Sequence, residues 1–241
     1  MKDSPSTPVA IVGGAGEARR LAAACPGAPV RLPDGERVPR RWPGAVSVGP
    51  VTAEWLAGTG AGALVIAAHP FDTATAASAR LAARTLAIPF VTILRPPWRR
   101  RPGERWHRAA HADDLARVIP PGGRVFAATG REDLAALRRL RAEVHLRQIG
   151  GADPAPGIRV HPGAPPFTPA GEAALFRRLG IDWLVLRNAG GAGARPKLDA
   201  ARGLGLNVAM IERPPRPSGP VAGTVEEALK WLRHTTRSPV G

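Results

Sequence analysis

Ala63-Leu64-Val65-Ile66-Ala67-Ala68-His69-Pro70-Phe71-Asp72 joins an unbroken apolar run to a turn carrying a histidine, a proline and an aromatic ring. An apolar run with no polar alternation reads as a strand buried on both faces, the pattern of a parallel sheet. In open α/β sheets ligands bind where such strands end. His69 and Phe71 are therefore candidate ligand contacts. A plainer account covers the same residues: Pro70 stops a ladder, and Asp72 or Thr73 caps a following helix.

Working outward, strands are predicted over 8–12, 29–32, 45–48, 63–67 and 90–94, with helices over 16–24, 52–58 and 72–86 between them. Short connections and strict alternation argue for an α/β fold with a parallel, doubly wound sheet. Residues 95–103, rich in Pro and Arg, read as a loop, and a short helix is expected over 111–118. The second half repeats the grammar. Strands are predicted over 124–128, 143–148, 157–161, 183–186 and 208–211. Helices are predicted over 132–140, 168–179, 196–204 and 224–232, the last with Thr224 and Glu227 as a capping box. Two domains are expected, residues 1–110 as an N-terminal α/β unit and 111–241 as a C-terminal α/β unit.

Composition narrows the function classes. The 241 residues are 44% hydrophobic, enough for a large core, yet no run approaches the roughly 20 residues of a membrane span. Residues 1–8 lack the apolar core of a signal peptide, so a cytoplasmic protein is expected. The single cysteine, Cys25, excludes an intramolecular disulfide and a cysteine-based zinc site. His107 and His111 share a helical spacing but lack a His-Glu-x-x-His context, so no metal is predicted. No nucleophile elbow appears, which argues against a hydrolase. The net charge is +15, with 34 basic residues, and lysine occurs only at Lys2, Lys197 and Lys230. Arginine grips carboxylates and phosphates with two bonds at once. The excess fits an anionic partner; a GC-rich coding bias accounts for it equally well.

Four stretches carry candidate chemistry. Gly13-Gly14-Ala15-Gly16-Glu17-Ala18-Arg19 follows a strand and opens a helix, so its amides suit a phosphate. The dinucleotide fingerprint is incomplete, because Arg19 stands where a small residue belongs. The second strand ends near Arg31, with no acidic residue before Asp34, which tilts a cofactor toward NADP; a solvated strand end is the competing reading. Thr129-Gly130-Arg131 suits an anion at a helix start or serves as a plain cap. Arg187-Asn188-Ala189-Gly190-Gly191, with Lys197 downstream, permits close backbone approach or forms an ordinary loop. The basic segment 95–108, with Trp98 and Trp106, can stack on single-stranded nucleic acid, flank a flat anionic macrocycle or remain a solvated loop, and composition favours the loop.

Taken in order, these stretches resemble the precorrin-6A reductase family. Gly13-Gly14-x-x-Glu17-Ala18-Arg19 is similar to the family's Gly-Gly-Thr-x-Glu-Ala-Arg opening, and Ala68-His69-Pro70-Phe71 to its Thr-His-Pro-Phe signature. Arg95-Pro96-Pro97-Trp98, Thr129-Gly130-Arg131 and Asn188-x-Gly190-Gly191 with Lys197-Leu198-x-Ala200-Ala201 follow in family order, as does Glu212-Arg213-Pro214-Pro215. The resemblance spans about residues 8–233.

It implies two Rossmann-like parallel-sheet domains with a cleft between them. It also implies NADPH-dependent reduction of a ring double bond of precorrin-6A, or of cobalt-precorrin-6A, to the 6B form in cobalamin biosynthesis. The cofactor is expected at Gly13, Gly14, Ala15, Gly16, Glu17, Arg19 and Arg31. A polycarboxylate tetrapyrrole substrate is expected at His69, Phe71, Arg95, Trp98, Thr129, Gly130, Arg131, Asn188, Gly190, Gly191 and Lys197. His69 titrates near neutral pH and is the candidate proton donor; a hydrogen-bonded loop anchor is its competing role. The expected partners are the tetrapyrrole alone, without nucleic acid or membrane, in a monomer or weak homo-oligomer. Two other readings stand beside it: another NADP-linked oxidoreductase acting on an anionic substrate, and a non-catalytic, basic nucleic-acid-binding protein. Ala15, Ala68 and Ala189 each replace a hydroxyl residue of the family pattern, so a tuned site is expected.

Overall fold

The structure is a computed structural model that describes residues 8–34, 42–151 and 153–235. Residues 1–7, which carry most of the segment read for a signal peptide, lie outside the described residues. The strands in chain order are β1 (Val9–Val12), β2 (Val30–Leu32), β3 (Val46–Val48), β4 (Ala63–Ile66), β5 (Phe90–Ile93), β6 (Arg105–Ala109), β7 (Arg124–Ala127), β8 (Glu143–Ile149), β9 (Arg159–Gly163), β10 (Trp183–Arg187), β11 (Asn207–Ile211) and β12 (Val221–Ala222). The α-helices are α1 (Gly16–Ala24), α2 (Ala53–Gly58), α3 (Thr73–Thr85), α4 (Leu115–Val118), α5 (Leu134–Arg138), α6 (Pro169–Leu179), α7 (Arg195–Leu204) and α8 (Val225–Thr235).

The strands form two six-stranded sheets, ordered β3-β2-β1-β4-β5-β12 and β9-β8-β7-β10-β11-β6. Every pairing within them is parallel. The expected α/β class with two parallel sheets is thus present. In each sheet the winding reverses once, between β1 and β4 in the first and between β7 and β10 in the second. Those reversals are the positions where ligands bind in doubly wound folds.

Strand periodicity explains the first core. Val9, Ile11, Val65 and Val91 face Leu21 of α1 and Leu232 of α8. Ala10, Val12, Leu64 and Ile66 face the opposite way, against Leu56 of α2 and Ala79 and Ala83 of α3. Alternate residues of β1 and β4 therefore supply both layers, which is why these strands read as continuous apolar runs. Cys25 ends α1 as a buried residue, and burial raises its thiol pKa. In the second sheet Phe126, Leu184, Leu186 and Met210 pack beneath Phe176 of α6 and Leu198 of α7.

Local chemistry sets the helix ends. Asp72 accepts from Thr75 N–H at 3.0 Å to cap α3. Thr168 caps α6 through Gly171 N–H, and Pro169 occupies its first turn. Gly180 closes that helix at φ +62°, in the left-handed conformation typical of a helix end. At α8, Thr224 Oγ1 accepts from Glu227 N–H, while Glu227 accepts from Gly223 N–H rather than from Thr224.

Three expectations need correction. Segment 95–108 is not loop throughout: β6 runs through it and closes an edge of the second sheet. Trp106 packs against the Phe126–Phe176 core, so it is not an open stacking platform for bases. The units also do not divide at residue 110. The first joins the chain up to Arg95 with the segment from Pro214 onward, and the second spans Pro96–Arg213. β12 pairs with β5, and α8 covers the β1–β4–β5 face, so the C-terminal segment completes the first unit. The helices expected over 111–118 and 132–140 each begin as a 3₁₀ turn.

Leu232 is fully buried in α8. Leu232→Ala is expected to cost about 2–5 kcal/mol. Hydrogen exchange should accelerate in peptides from β1, β4 and β5 and hold steady in β7 and β10. The reverse pattern would assign the C-terminal helix to the other unit.

Candidate functional site

In the first unit the predicted glycine turn and histidine turn leave adjacent strands, β1 and β4, on either side of the winding reversal. Gly14 has φ +125°, a conformation that side chains oppose. A Cβ built there would stand 3.4 Å from His69 N and 3.5 Å from Ala68 Cα, so the two turns meet backbone to backbone. At Gly13 a Cβ would come 2.4 Å from Leu32 Cδ2, and the Gly13 N–H donates to Arg31 O at 2.7 Å. Ala15 holds the N-cap position of α1 in extended conformation with no side-chain cap. The first-turn amides of α1 thus point past a methyl group rather than into a hydroxyl. These are features that suit a phosphate-bearing cofactor.

Glu17 and Arg95, predicted for cofactor and substrate respectively, are brought to each other. Arg95 Nη1 lies 2.8 Å from Glu17 Oε2, and both side chains are largely buried. The pair ties the start of α1 to the end of β5. Arg20 approaches Glu17 from outside at 3.8 Å. Arg19 lies with its guanidinium 6.0 Å from the Trp42 ring. Arg31 is the middle residue of β2 rather than its end, with Nε donating to Pro50 O at 3.1 Å and its guanidinium 5.7 Å from the Trp55 ring. His69 Nδ1 accepts from Phe71 N–H at 3.4 Å, and the two rings lie 6.0 Å apart. That bond makes Nδ1 the acceptor, so the neutral ring carries its proton on Nε2.

The second unit repeats the arrangement at β7 and β10. Thr129 follows β7 and is 5% exposed, and its Oγ1 has no hydrogen-bond partner among the described residues. A buried hydroxyl without a partner is uncommon in a folded protein. Gly130 follows at φ +86°, where a Cβ would meet Glu132 Oε2 at 2.4 Å. Arg131 is exposed, but its guanidinium is already engaged. It donates to Gln148 Oε1, Asp153 O and Pro154 O at 3.0–3.2 Å, and so holds the chain between β8 and β9.

After β10, Asn188 is buried and grips the Trp98 backbone from both sides. Its Oδ1 accepts from Trp98 N–H at 2.8 Å, and its Nδ2 donates to Trp98 O at 3.3 Å. Trp98 Nε1 donates to Gly191 O at 2.7 Å. Gly190 sits at φ +71°, and a Cβ there would lie 2.0 Å from Pro96 O. Arg213 closes the loop by donating to Asn188 O and Ala189 O. Lys197 is 3% exposed, 3.5 Å from Glu172 Oε1 and 3.6 Å from the centre of the Phe167 ring. Burial lowers its pKa, and Glu172 opposes that shift.

One clamp was missed in the sequence. Arg187 donates from Nε and Nη2 to both oxygens of Asp133, at 2.9 and 2.8 Å. It thereby locks the turn after β7 to the end of β10. Both residue types were visible, but no local pattern links positions 54 apart. Among the described residues no cluster of three or more His, Cys, Asp or Glu is placed to hold a metal, and no helix is long and apolar enough to cross a membrane.

Comparison with known proteins fits this layout. A family described as "Precorrin-6x reductase CbiJ/CobK" matches residues 8–233. A protein of Rhodococcus erythropolis named "Precorrin-6A reductase" is 39% identical over 96% of this chain and 99% of its own. Another of the same name, from Rhodobacter capsulatus, is 32% identical over 98% of this chain and 99% of its own. A solved structure titled "CobK precorrin-6A reductase" superposes with a TM-score of 0.84 and 29% identity, covering 98% of this chain and all of that one.

Asn188→Ala leaves the Trp98 N–H without its buried acceptor. The expected cost is about 1–3 kcal/mol. Urea denaturation should show it, with red-shifted tryptophan emission as Trp98 loosens. Unchanged stability and emission would mean that the amide does not hold the 96–98 segment.

Proposed function

The chain belongs to the precorrin-6x reductase family, an oxidoreductase family acting on a carbon–carbon double bond, and from that premise we propose that it reduces a ring double bond of precorrin-6A or cobalt-precorrin-6A with NADPH. The observation that carries this reading is the meeting of the Gly14 turn and the His69 turn at the winding reversal of the first sheet. One turn offers backbone amides to a dinucleotide; the other offers an imidazole and an aromatic ring to a substrate.

The cofactor, when bound, supplies the hydride. This chain supplies binding, orientation and a proton. The amides of Gly14, Ala15 and Gly16 at the start of α1 take the pyrophosphate, while the Gly13 N–H stays on Arg31 O. The Glu17–Arg95 pair positions that helix start. Arg31, beside Gly49 and Pro50, is the cation available for a 2′-phosphate. Phe71 offers an apolar surface to the macrocycle. His69, carrying its proton on Nε2, is the candidate donor to the reduced ring. In the second unit the Thr129 hydroxyl and the backbone of Gly130, Gly190 and Gly191 are the ligand-facing groups. Arg131, Asn188, Trp98 and Lys197 act as positioning residues.

Purified protein should oxidise NADPH at 340 nm when given precorrin-6A or its cobalt form. No oxidation with either, under conditions where a known reductase works, overturns the proposal. His69→Ala is expected to lower kcat by about 100-fold, the low end for a general acid. Near-normal turnover would remove the acid role from His69 and leave the proton to solvent or to the substrate's carboxyl groups.

A further inference from the structure

The second unit contains a cavity of about 520 Å³ at the C-terminal ends of β8 and β9, beside the start of α6. Arg147, His161, Phe167, Thr168, Glu172 and Arg178 form the part of its wall that matters. None of these residues carries a motif of the proposed active site.

The charges in this wall do not cancel. Glu172 is 2% exposed and supplies one carboxylate. Two cations share it: Arg147 Nη2 at 3.1 and 3.2 Å, and Lys197 Nζ at 3.5 Å. Arg178 lines the mouth and makes no ion pair among the described residues, so the local balance is positive. Arg147 Nε is buried and has no hydrogen-bond partner among the described residues. A buried N–H on a guanidinium is costly to leave unpaired.

The hydrogen-bond chain behind His161 fixes what that ring can offer. Glu143 lies 3.2 Å from Arg124 and 2.7 Å from Arg159. A carboxylate only accepts, so His145 Nε2, at 3.2 Å, carries a proton. His145 Nδ1 then accepts from His161 Nε2 at 2.7 Å. In the neutral pair the remaining nitrogen of His161, Nδ1, is therefore a lone-pair acceptor. Burial, followed by the charges of His145, Arg147, Arg178 and Arg159, lowers the His161 pKa and favours that neutral ring. The cavity wall thus combines the guanidinium groups of Arg147 and Arg178 and the Phe167 ring, with the His161 imidazole beside them.

We propose that this cavity is a second anion site, built to take one phosphate or carboxylate group of a larger ligand. A bidentate oxyanion matches guanidinium geometry. The neighbouring ring and imidazole suit the arm that bears it. Two sources share this chemistry: a phosphate of a nucleotide cofactor and a carboxylate arm of a tetrapyrrole. Only the choice between them rests on the reductase reading; the site itself does not.

The test uses the full chain and three probes: inorganic phosphate, adenosine 2′,5′-bisphosphate and uroporphyrin. Calorimetry should show saturable phosphate binding, and the His161 ring resonances should move with the same midpoint. Arg178→Gln is expected to weaken binding about tenfold, roughly the loss of one partly exposed charge-assisted contact. Arg177→Gln removes the same charge one position away, outside the cavity wall, and should change nothing. Displacement of phosphate by the bisphosphate assigns the site to the cofactor; displacement by uroporphyrin assigns it to the substrate. The proposal falls if no probe moves the His161 resonances. It also falls if the two arginine variants weaken binding equally, which is net charge acting at a distance. Turnover of NADPH that ignores Arg178 while phosphate fails to bind would sink this site and leave the reductase reading standing.

Discussion

A parallel strand cannot pair with the strand before it unless the chain crosses back over the sheet, a return of a dozen residues or more. After β5 the chain makes no such return. It leaves through Arg95-Pro96-Pro97, and proline cannot donate to a ladder. The outer edge of β5 therefore stays open until β12 arrives from the far end of the sequence. Meanwhile the next strand, β6, takes the equivalent edge position beside β11 in the second sheet. The first sheet is thus completed by the last strand of the chain, whereas the second is built from the six consecutive strands β6 to β11 and places its first strand at the equivalent edge. The chain passes between units twice, each time at an Arg-Pro-Pro sequence: Arg95 is the last residue of one stretch and Arg213 of the other. Each arginine is fastened to the unit it leaves, Arg95 to Glu17 and Arg213 to the carbonyls of Asn188 and Ala189.

This exchange explains what the sequence could and could not disclose. β1, β4, β5, β7, β10 and β11 carry apolar residues toward helices on both faces, so their runs announce themselves. β6 is Arg-Trp-His-Arg-Ala at an edge, and only Ala109 is fully buried. Nothing in that composition separates it from a basic loop. β12 spans two residues, too few for any period. Helix α8 is amphipathic and was legible as a helix, but amphipathicity does not say which sheet a helix covers. A boundary placed within the loop-like stretch 95–123 therefore came out near residue 110 and kept the returning segment with the second unit.

The candidate site divides along the same line. The turns themselves were readable: glycine turn, histidine turn, Thr129-Gly130 and Asn188-x-Gly190-Gly191 all stand at strand ends beside a winding reversal. What their charged members do was not readable, because an ion pair is decided by tertiary neighbours. Glu17 and Arg95 look like separate ligand contacts 78 positions apart and turn out to be partners. Arg131 looks like an anion anchor and instead binds the Gln148 side chain of β8 and two backbone oxygens from the chain that follows it. Lys197 has a short, well-placed sequence context and is buried against Glu172 and Phe167. The arginine excess overstated the number of groups facing a ligand, since part of it is spent on fastening loops.

The three missing hydroxyls take on a different meaning once the loops are seen. Ala15 stands at the N-cap of α1, where a hydroxyl would compete with a ligand for the first-turn amides. Ala68 lies 6% exposed, and its Cα is among the atoms nearest to where a Gly14 side chain would stand. Ala189 is also buried, and it works through its backbone: its N–H donates to Arg187 O at 2.6 Å, and its carbonyl accepts from Arg213. In each case the contact that shapes the turn is made by main-chain atoms, which alanine retains in full. A main-chain contact survives any side chain small enough to fit, whereas Gly14 is held to glycine by its φ of +125° and Gly190 by the Pro96 carbonyl that a Cβ would meet. The conformation of these turns therefore depends on the glycines. The hydroxyls that this chain lacks could alter how tightly a ligand is held without altering where the turns stand.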